Sequence, residues 1–264
     1  QELLPTTLKL EWQKSQQLRY GENPHQKAAV YRTGGYVGPS IVHGKQLHGK
    51  ELSYNNILDL DSALNIVRCF SNPAAVVIKH NNPCGAAWAH RLSFAARKAL
   101  DGDPLSAFGG IIGFNKPVDA ETAEILCENG RFIEAVVAPS YEAAAIEVLT
   151  TKPKWKESVR LIAVGDMPYG EAESHYRLIS GGLLVQEADN LPASPLNWNT
   201  VTDTKVDDAL WEDIAFAWEM IRHVKSNAIL LAKDAAVVGV GAGQMSRVDS
   251  VHISIEKAGD RAQG

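Results

Sequence analysis

Cysteine is scarce: Cys69, Cys84 and Cys127 are scattered, and three is an odd number in a chain of 264 residues. That argues against a disulfide framework and suggests a reducing compartment, read here as the cytoplasm. An excess of one charge is also lacking. With 26 Lys and Arg against 31 Asp and Glu, the formal net charge is -5, and no basic run occurs. Such a surface has no field to attract nucleic acid or an anionic membrane, although a single anion site can still be locally basic. No stretch approaches the roughly 18 apolar residues of a spanning helix, and the first residues are polar rather than signal-like. What is there is ordinary globular composition, 45% hydrophobic and 22% charged, in a length that suits one large domain or two ordinary ones.

The most informative stretch is Val76-Val77-Ile78-Lys79-His80-Asn81-Asn82-Pro83-Cys84-Gly85. Three apolar residues read as the end of a buried strand, and a Pro/Gly-containing turn is expected after them. Loops leaving the carboxyl ends of strands line the ligand crevice of open α/β sheets, so Lys79 and His80 are candidates for anion stabilisation and proton transfer. A strand edge finished by solvated polar groups is the competing reading.

In chain order, residues 1–16 suggest an opening segment or a strand from Thr7, and Leu18 to Gln26, punctuated by Gly21 and Pro24, reads as an ordered loop. In that loop Arg19 offers a fork for phosphate or carboxylate and Tyr20 a hydroxyl or a stacking face, unless Arg19 only makes an exposed salt bridge. A helix follows Asn55-Asn56, with Asp59 and Asp61 suited to its first turn. A second helix over about 92–100 leads to Asp103-Pro104-Leu105-Ser106-Ala107-Phe108-Gly109-Gly110, where the glycines allow close backbone approach and Phe108 can stack on a planar ring or simply pack.

Strand and helix then alternate: 111–114, 119–127, 134–138 and 141–149. The spacing predicts a mostly parallel sheet covered on both faces. Residues 152–206 read as a connecting region with short strands at Leu161 to Val164 and Leu183 to Gln186, and 208–224 as the clearest helix. The next stretch, Ser226-Asn227-Ala228-Ile229-Leu230-Leu231-Ala232-Lys233-Asp234, echoes Ser71 to His80 with Pro73 as an insertion, which suggests a duplicated unit; chance similarity of two apolar strands is the alternative. Gly241-Ala242-Gly243-Gln244-Met245-Ser246-Arg247 opens an apparent helix from about Asp249 and makes a plausible anion cradle. It is not a Walker A loop, because no Gly-Lys-Ser/Thr follows.

Five of these motifs, Leu18 to Gln26, Ser53 to Asp59, Ile78 to Gly85, Asp103 to Gly110 and Gly241 to Arg247, occur together and in this order over nearly the whole chain. Together they resemble the transformylase domain of the bifunctional purine-biosynthesis enzymes. The resemblance implies a three-layer α/β/α fold of duplicated cytidine-deaminase-like units, here a first unit with its connecting region over 1–190 and an incomplete, truncated second unit over 191–264. It implies transfer of a formyl group from 10-formyltetrahydrofolate, a co-substrate, to the 5-amino group of aminoimidazole carboxamide ribonucleotide (AICAR). The family's cyclohydrolase domain and the transformylase's terminal segment are expected to be missing.

By matching motif, His80 is implied as general base and Lys79 as the cation opposite the formyl oxygen. Arg19, Tyr20, Gly109, Glu134 and Asn227 are implied nucleotide contacts, Lys152 a phosphate candidate, and Arg247 and Val248 folate-side positions, with Phe108 beside them. The related zinc enzymes use His-x-Glu and Pro-Cys-x-x-Cys ligands. Here Pro83-Cys84 is followed by Gly85-Ala86-Ala87, so no zinc is expected. The resemblance further implies a homodimer with sites at the subunit interface, and no nucleic-acid or membrane partner. A catalytically silent nucleotide-binding or dimerisation module is the rival reading.

Overall fold

Apolar runs too short for helices form the buried strands of the main sheet, and amphipathic stretches, several of them opened by a polar capping side chain, form the helices. The computed structural model describes residues 4–168, 174–191 and 197–263. The first three residues of the expected opening segment lie outside that set. In chain order come β1 (Gln13–Leu18), β2 (Ala28–Arg32), β3 (Lys45–His48), α1 (Tyr54–Val67), β4 (Ala74–Lys79), β5 (Asn82–Trp88), α2 (Leu92–Gly102), α3 (Pro104–Ala107) and β6 (Gly110–Phe114). Then follow α4 (Ala120–Leu126), β7 (Ile133–Ala138), α5 (Ala143–Thr151), β8 (Arg160–Ala163), β9 (Ser174–Ile179), β10 (Gly182–Glu187), α6 (Asp208–Ile221), β11 (Ile229–Lys233), β12 (Ala236–Gly241) and α7 (Arg247–Ala258).

Eight strands form one sheet in the order β11-β12-β5-β4-β6-β7-β8-β3, while β1-β2 and β9-β10 are separate two-stranded ribbons. Side-chain alternation divides the core into two layers. Ala75, Val77, Ile112 and Val136 face α2, α4 and α5, whereas Val76, Ile78, Ile111 and Val137 face α1 and α6. Helices on both faces give the expected three layers. The sheet itself is mixed: β6, β7 and β8 are parallel, and every other pairing is antiparallel. The mostly parallel expectation is therefore corrected, because β4 and β5 are joined by a two-residue turn rather than by a crossover. Asn82 to Gly85, expected within a Pro/Gly-containing turn, instead open strand β5; Pro83 is tolerated where the β4-β5 register shifts. The connecting region also gives up Arg160–Ala163 to the main sheet.

The internal echo is a structural repeat. α1-β4-β5-α2 and α6-β11-β12-α7 have the same order, and the first helix of each begins with a side-chain cap, from Ser53 and Asp207. Gly85 lies against α2 so closely that a Cβ would sit 1.9 Å from the Ala99 carbonyl oxygen; Gly239 lies against α7 with the Ser254 oxygen 2.1 Å away. The two units meet where Ala87 on β5 pairs with Ala236 on β12. This is the only bonded pair between those strands, so they separate toward Asn82 and Gly241.

Candidate functional site

Register places most of the candidate residues along one edge of the sheet. β4 ends there at Lys79, β6 and β7 begin there at Gly110 and Ile133, and β12 ends there at Gly241. The open end between β5 and β12 holds a cavity of about 210 Å³, lined by Lys79, Pro83, Cys84, Asp103, Gly239 and Lys257 among others. Inside it, Lys79 Nζ donates to the Phe108 oxygen at 2.8 Å and to the Gly109 oxygen at 3.1 Å. An ammonium has three donors, so one remains for a ligand. Gly109 has φ 68 and donates its N–H to the Phe132 oxygen at 2.7 Å. A side chain there would be strained in the left-handed region, and its Cβ would stand 3.3 Å from Lys79 Nζ.

The loop carrying those two carbonyls is fixed by Asp103. Its Oδ1 accepts the Ser106 N–H at 3.1 Å, and its Oδ2 accepts the Ser106 hydroxyl at 2.6 Å. Lys257, from α7 in the second unit, pairs with the same Oδ2 at 2.8 Å. Burial raises the Asp103 pKa, but the hydrogen bonds from Lys257 and Ser106 outweigh it and hold the carboxyl below the usual carboxylate range. Burial, assisted by the charge of Asp103, pushes the Cys84 thiol up to about 12, so Cys84 is no thiolate nucleophile at neutral pH.

His80 and Asn81 form the β4-β5 turn with φ 52 and 60. Both central positions of such a turn need positive φ, which costs any residue with a Cβ, although asparagine and histidine are among the side chains found there most often. The Asp59 carboxylate holds the turn: its Oδ1 accepts the Asn81 N–H at 2.7 Å. Burial raises the Asp59 pKa, opposed by that hydrogen bond and by the nearby His80 and Lys79. Asp59 was expected in the first turn of its helix; α1 begins at Tyr54, and Asp59 lies in the second turn facing the hairpin. His80 is exposed, so its ring is not sealed in apolar packing, while Lys79 is half-buried in the cavity. On the α1 side of the turn opens a larger cleft of about 670 Å³, which Asp61, Ser62, Asn65, Arg68 and Asn81 help to line. The turn thus stands between two openings, and we centre the site on the smaller because the Lys79 ammonium lines it.

The other candidates fall into separate groups. Arg19 is exposed, its guanidinium carbon 5.9 Å from the Tyr20 ring centroid, and their loop reaches α1 through Asn55 Nδ2, which donates to the Glu22 oxygen at 3.4 Å. Asn227 donates both amide hydrogens, to the Gln244 and Met245 oxygens at 3.0 Å each, and leaves its Oδ1 for a ligand. That clamp sets the loop from which α7 starts at Arg247, two residues before the expected Asp249; Arg247 and Val248 are both exposed. Phe108 is exposed beside Phe132, with ring centroids 5.4 Å apart. Glu134 pairs with Arg160 at 2.7 Å, and Lys152 pairs with Glu124 on the helical surface, so neither is brought to the cavity as a free group.

Sequence reading missed Asp59 as the holder of the turn, and Asp103 and Lys257 as the pair joining the units. Asp103 before Pro104 is a recognisable helix-start signal. Lys257 has no local signal, since its partner is distant in sequence. Among the described residues, no group of three or more His, Cys, Asp or Glu is arranged to hold a metal, and no helix is long and apolar enough to cross a membrane.

The family model described as AICARFT/IMPCHase bienzyme matches residues 1–257. The bifunctional purine biosynthesis protein PurH of Rhodopirellula baltica is 59% identical over 260 residues, covering 98% of this chain and 50% of that protein. The proteins of the same name from Halalkalibacterium halodurans and Bacillus thuringiensis strain Al Hakam are 47% and 46% identical with the same coverage. The chain spans about half the length of the curated relatives it matches. On this match, and with an α/β fold whose paired units place a lysine and a histidine at one sheet edge, the chain belongs to the AICARFT/IMPCHase bienzyme family.

Proposed function

We propose that this chain carries the formyl-transfer step of purine biosynthesis, moving a formyl group from 10-formyltetrahydrofolate to the 5-amino group of AICAR. The observation that carries the reading is the pinned ammonium of Lys79, with one donor to spare, next to an imidazole kept at a strained turn. The amine of AICAR is conjugated with its ring and carboxamide, so it attacks the formyl carbon well only as its proton is removed. An exposed His80 suits that role, since a neutral imidazole carries a ring nitrogen that can accept the proton. As the new C–N bond forms, the third donor of Lys79 meets the developing oxyanion, a contribution worth about 3 kcal/mol in comparable sites. The bond from the formyl carbon to the folate nitrogen then breaks, and that nitrogen leaves with a proton.

In the same reading Arg19 and Tyr20 hold the nucleotide, with the guanidinium on the phosphate. Gly109 and the Oδ1 of Asn227 meet the base, and Phe108, Arg247 and Val248 serve the folate. Glu134 and Lys152 reach ligand only by leaving Arg160 and Glu124, which favours an architectural role for both. We place the first unit over 1–190 and the second from 191, acting as a homodimer whose interface completes the site.

Formyl transfer and AICAR binding, measured on the chain and on His80→Ala, test the reading. The expected outcome is unchanged binding with turnover reduced about 100-fold, a typical contribution for a positioned base. Binding without any His80-dependent turnover would instead identify a silent nucleotide-binding module.

A further inference from the structure

We infer that Asp59 is a positioning residue for His80, acting through the backbone of the turn; this rests on the reading of His80 as the proton acceptor. Left-handed backbone is costly for a residue with a Cβ, and here two consecutive side-chain-bearing residues adopt it. Asp59 counters that cost at its source, because its Oδ1 takes the Asn81 N–H at 2.7 Å. The carboxylate stands on α1, whose Leu60, Ala63, Leu64 and Val67 are buried against the sheet, so the acceptor is held on a rigid element. Ser62, one turn of α1 further on, places its hydroxyl 3.3 Å from Asn81 Oδ1 and 3.0 Å from the Leu58 carbonyl oxygen, which compete for its single proton.

The second unit supplies an internal control. Asp213 on α6 accepts the N–H groups of Asp234 and Ala235 at 3.0 and 2.6 Å, and both residues have φ 53. The fixture is the same, but the position of His80 is taken by Asp234, which has no imidazole. Whatever an aspartate contributes to stability by holding such a turn is therefore common to both units. An effect on the reaction belongs to Asp59 alone.

The test is steady-state formyl transfer and thermal unfolding on the full chain carrying Asp59→Ala, Asp59→Asn, Asp213→Ala or His80→Ala. Both alanine variants at the aspartates lower the melting temperature to a similar extent. Asp59→Ala lowers kcat about 30-fold while the KM for AICAR stays within about twofold, as expected when a catalytic group is misplaced but substrate contacts remain. Asp213→Ala keeps kcat within about twofold, and Asp59→Asn, which retains an acceptor oxygen for the Asn81 N–H, recovers most of the lost rate. If Asp59→Ala does not fold, Asp59→Ser, with a shorter acceptor, takes its place in the comparison. The inference is overturned if His80→Ala lowers turnover about 100-fold while Asp59→Ala or its substitute matches the wild type, changes only KM, or merely tracks Asp213→Ala. Turnover that is absent, or indifferent to His80→Ala, overturns the underlying reading, and the inference with it.

Discussion

The β4-β5 and β11-β12 hairpins share a preceding helix, an aspartate from that helix, a left-handed two-residue turn and a glycine pressed against the following helix. They differ in what the turn displays. The first presents His80 next to a lysine held by two carbonyls, and the second presents Asp234, with Lys98 reaching its backbone oxygen at 2.7 Å. The pairing of Ala87 with Ala236 sends the two turns to opposite edges of the sheet. The two hairpins thus share the scaffold of the turn, and the chemistry depends on which side chain the scaffold holds and on what stands beside it.

The largest expected effect tests the shared scaffold. Gly85→Ala and Gly239→Ala each drive a Cβ into a helix carbonyl, at 1.9 and 2.1 Å, where backbone rather than a flexible side chain must move. Each should cost about 4 kcal/mol in urea unfolding, the range reserved for severe overpacking, and a loss in only one unit would break the equivalence.

The next effect is a difference between the units. Cys69 and His223 occupy matching places after α1 and α6 and touch each other, with Sγ 3.4 Å from Nε2. Burial, with the Arg222 charge adding, depresses the His223 pKa to about 4. A depressed value means that the unfolded chain takes up the proton first. The stability from neutral His223 is therefore complete above the ordinary histidine pKa near 6.5 and is lost as pH falls toward about 4. The loss should approach about 3 kcal/mol. Denaturation series at neutral and acid pH should show it in the wild type and in Cys69→Ala, and a flatter profile in His223→Leu.

The smallest effect concerns the turns themselves. Ala235→Gly relieves left-handed strain and should raise stability by about 1 kcal/mol without touching turnover. His80→Gly should also stabilise its hairpin yet lower turnover about 100-fold, as His80→Ala does. A His80→Gly variant that is less stable than the wild type would show that the imidazole, not the backbone, holds that turn.

Much of this was legible in the sequence. Val76 to Ile78 and the Asp208 helix stand out by apolar pattern, and the echo of Ser71 to His80 in Ser226 to Asp234 exposed the repeat. The direction of β5 was not legible, because Pro83 and Gly85 read as turn residues and His80-Asn81 lacks the glycine that marks a tight hairpin. In the fold Pro83 sits at a register shift, and Gly85 makes room for a helix. At the site, Lys79 and Gly109 were found by motif and are brought together, while Lys257 met Asp103 only through folding. The pairing of Glu134 with Arg160 is equally non-local, joining neighbouring strands across an intervening helix.

Chemical rescue tests the role of the 80-position imidazole most directly. Formyl transfer by His80→Ala should fall about 100-fold, as for loss of a general base, and added imidazole should restore part of it. Undiminished turnover in His80→Ala, or a loss that imidazole leaves unchanged, would contradict proton removal by His80.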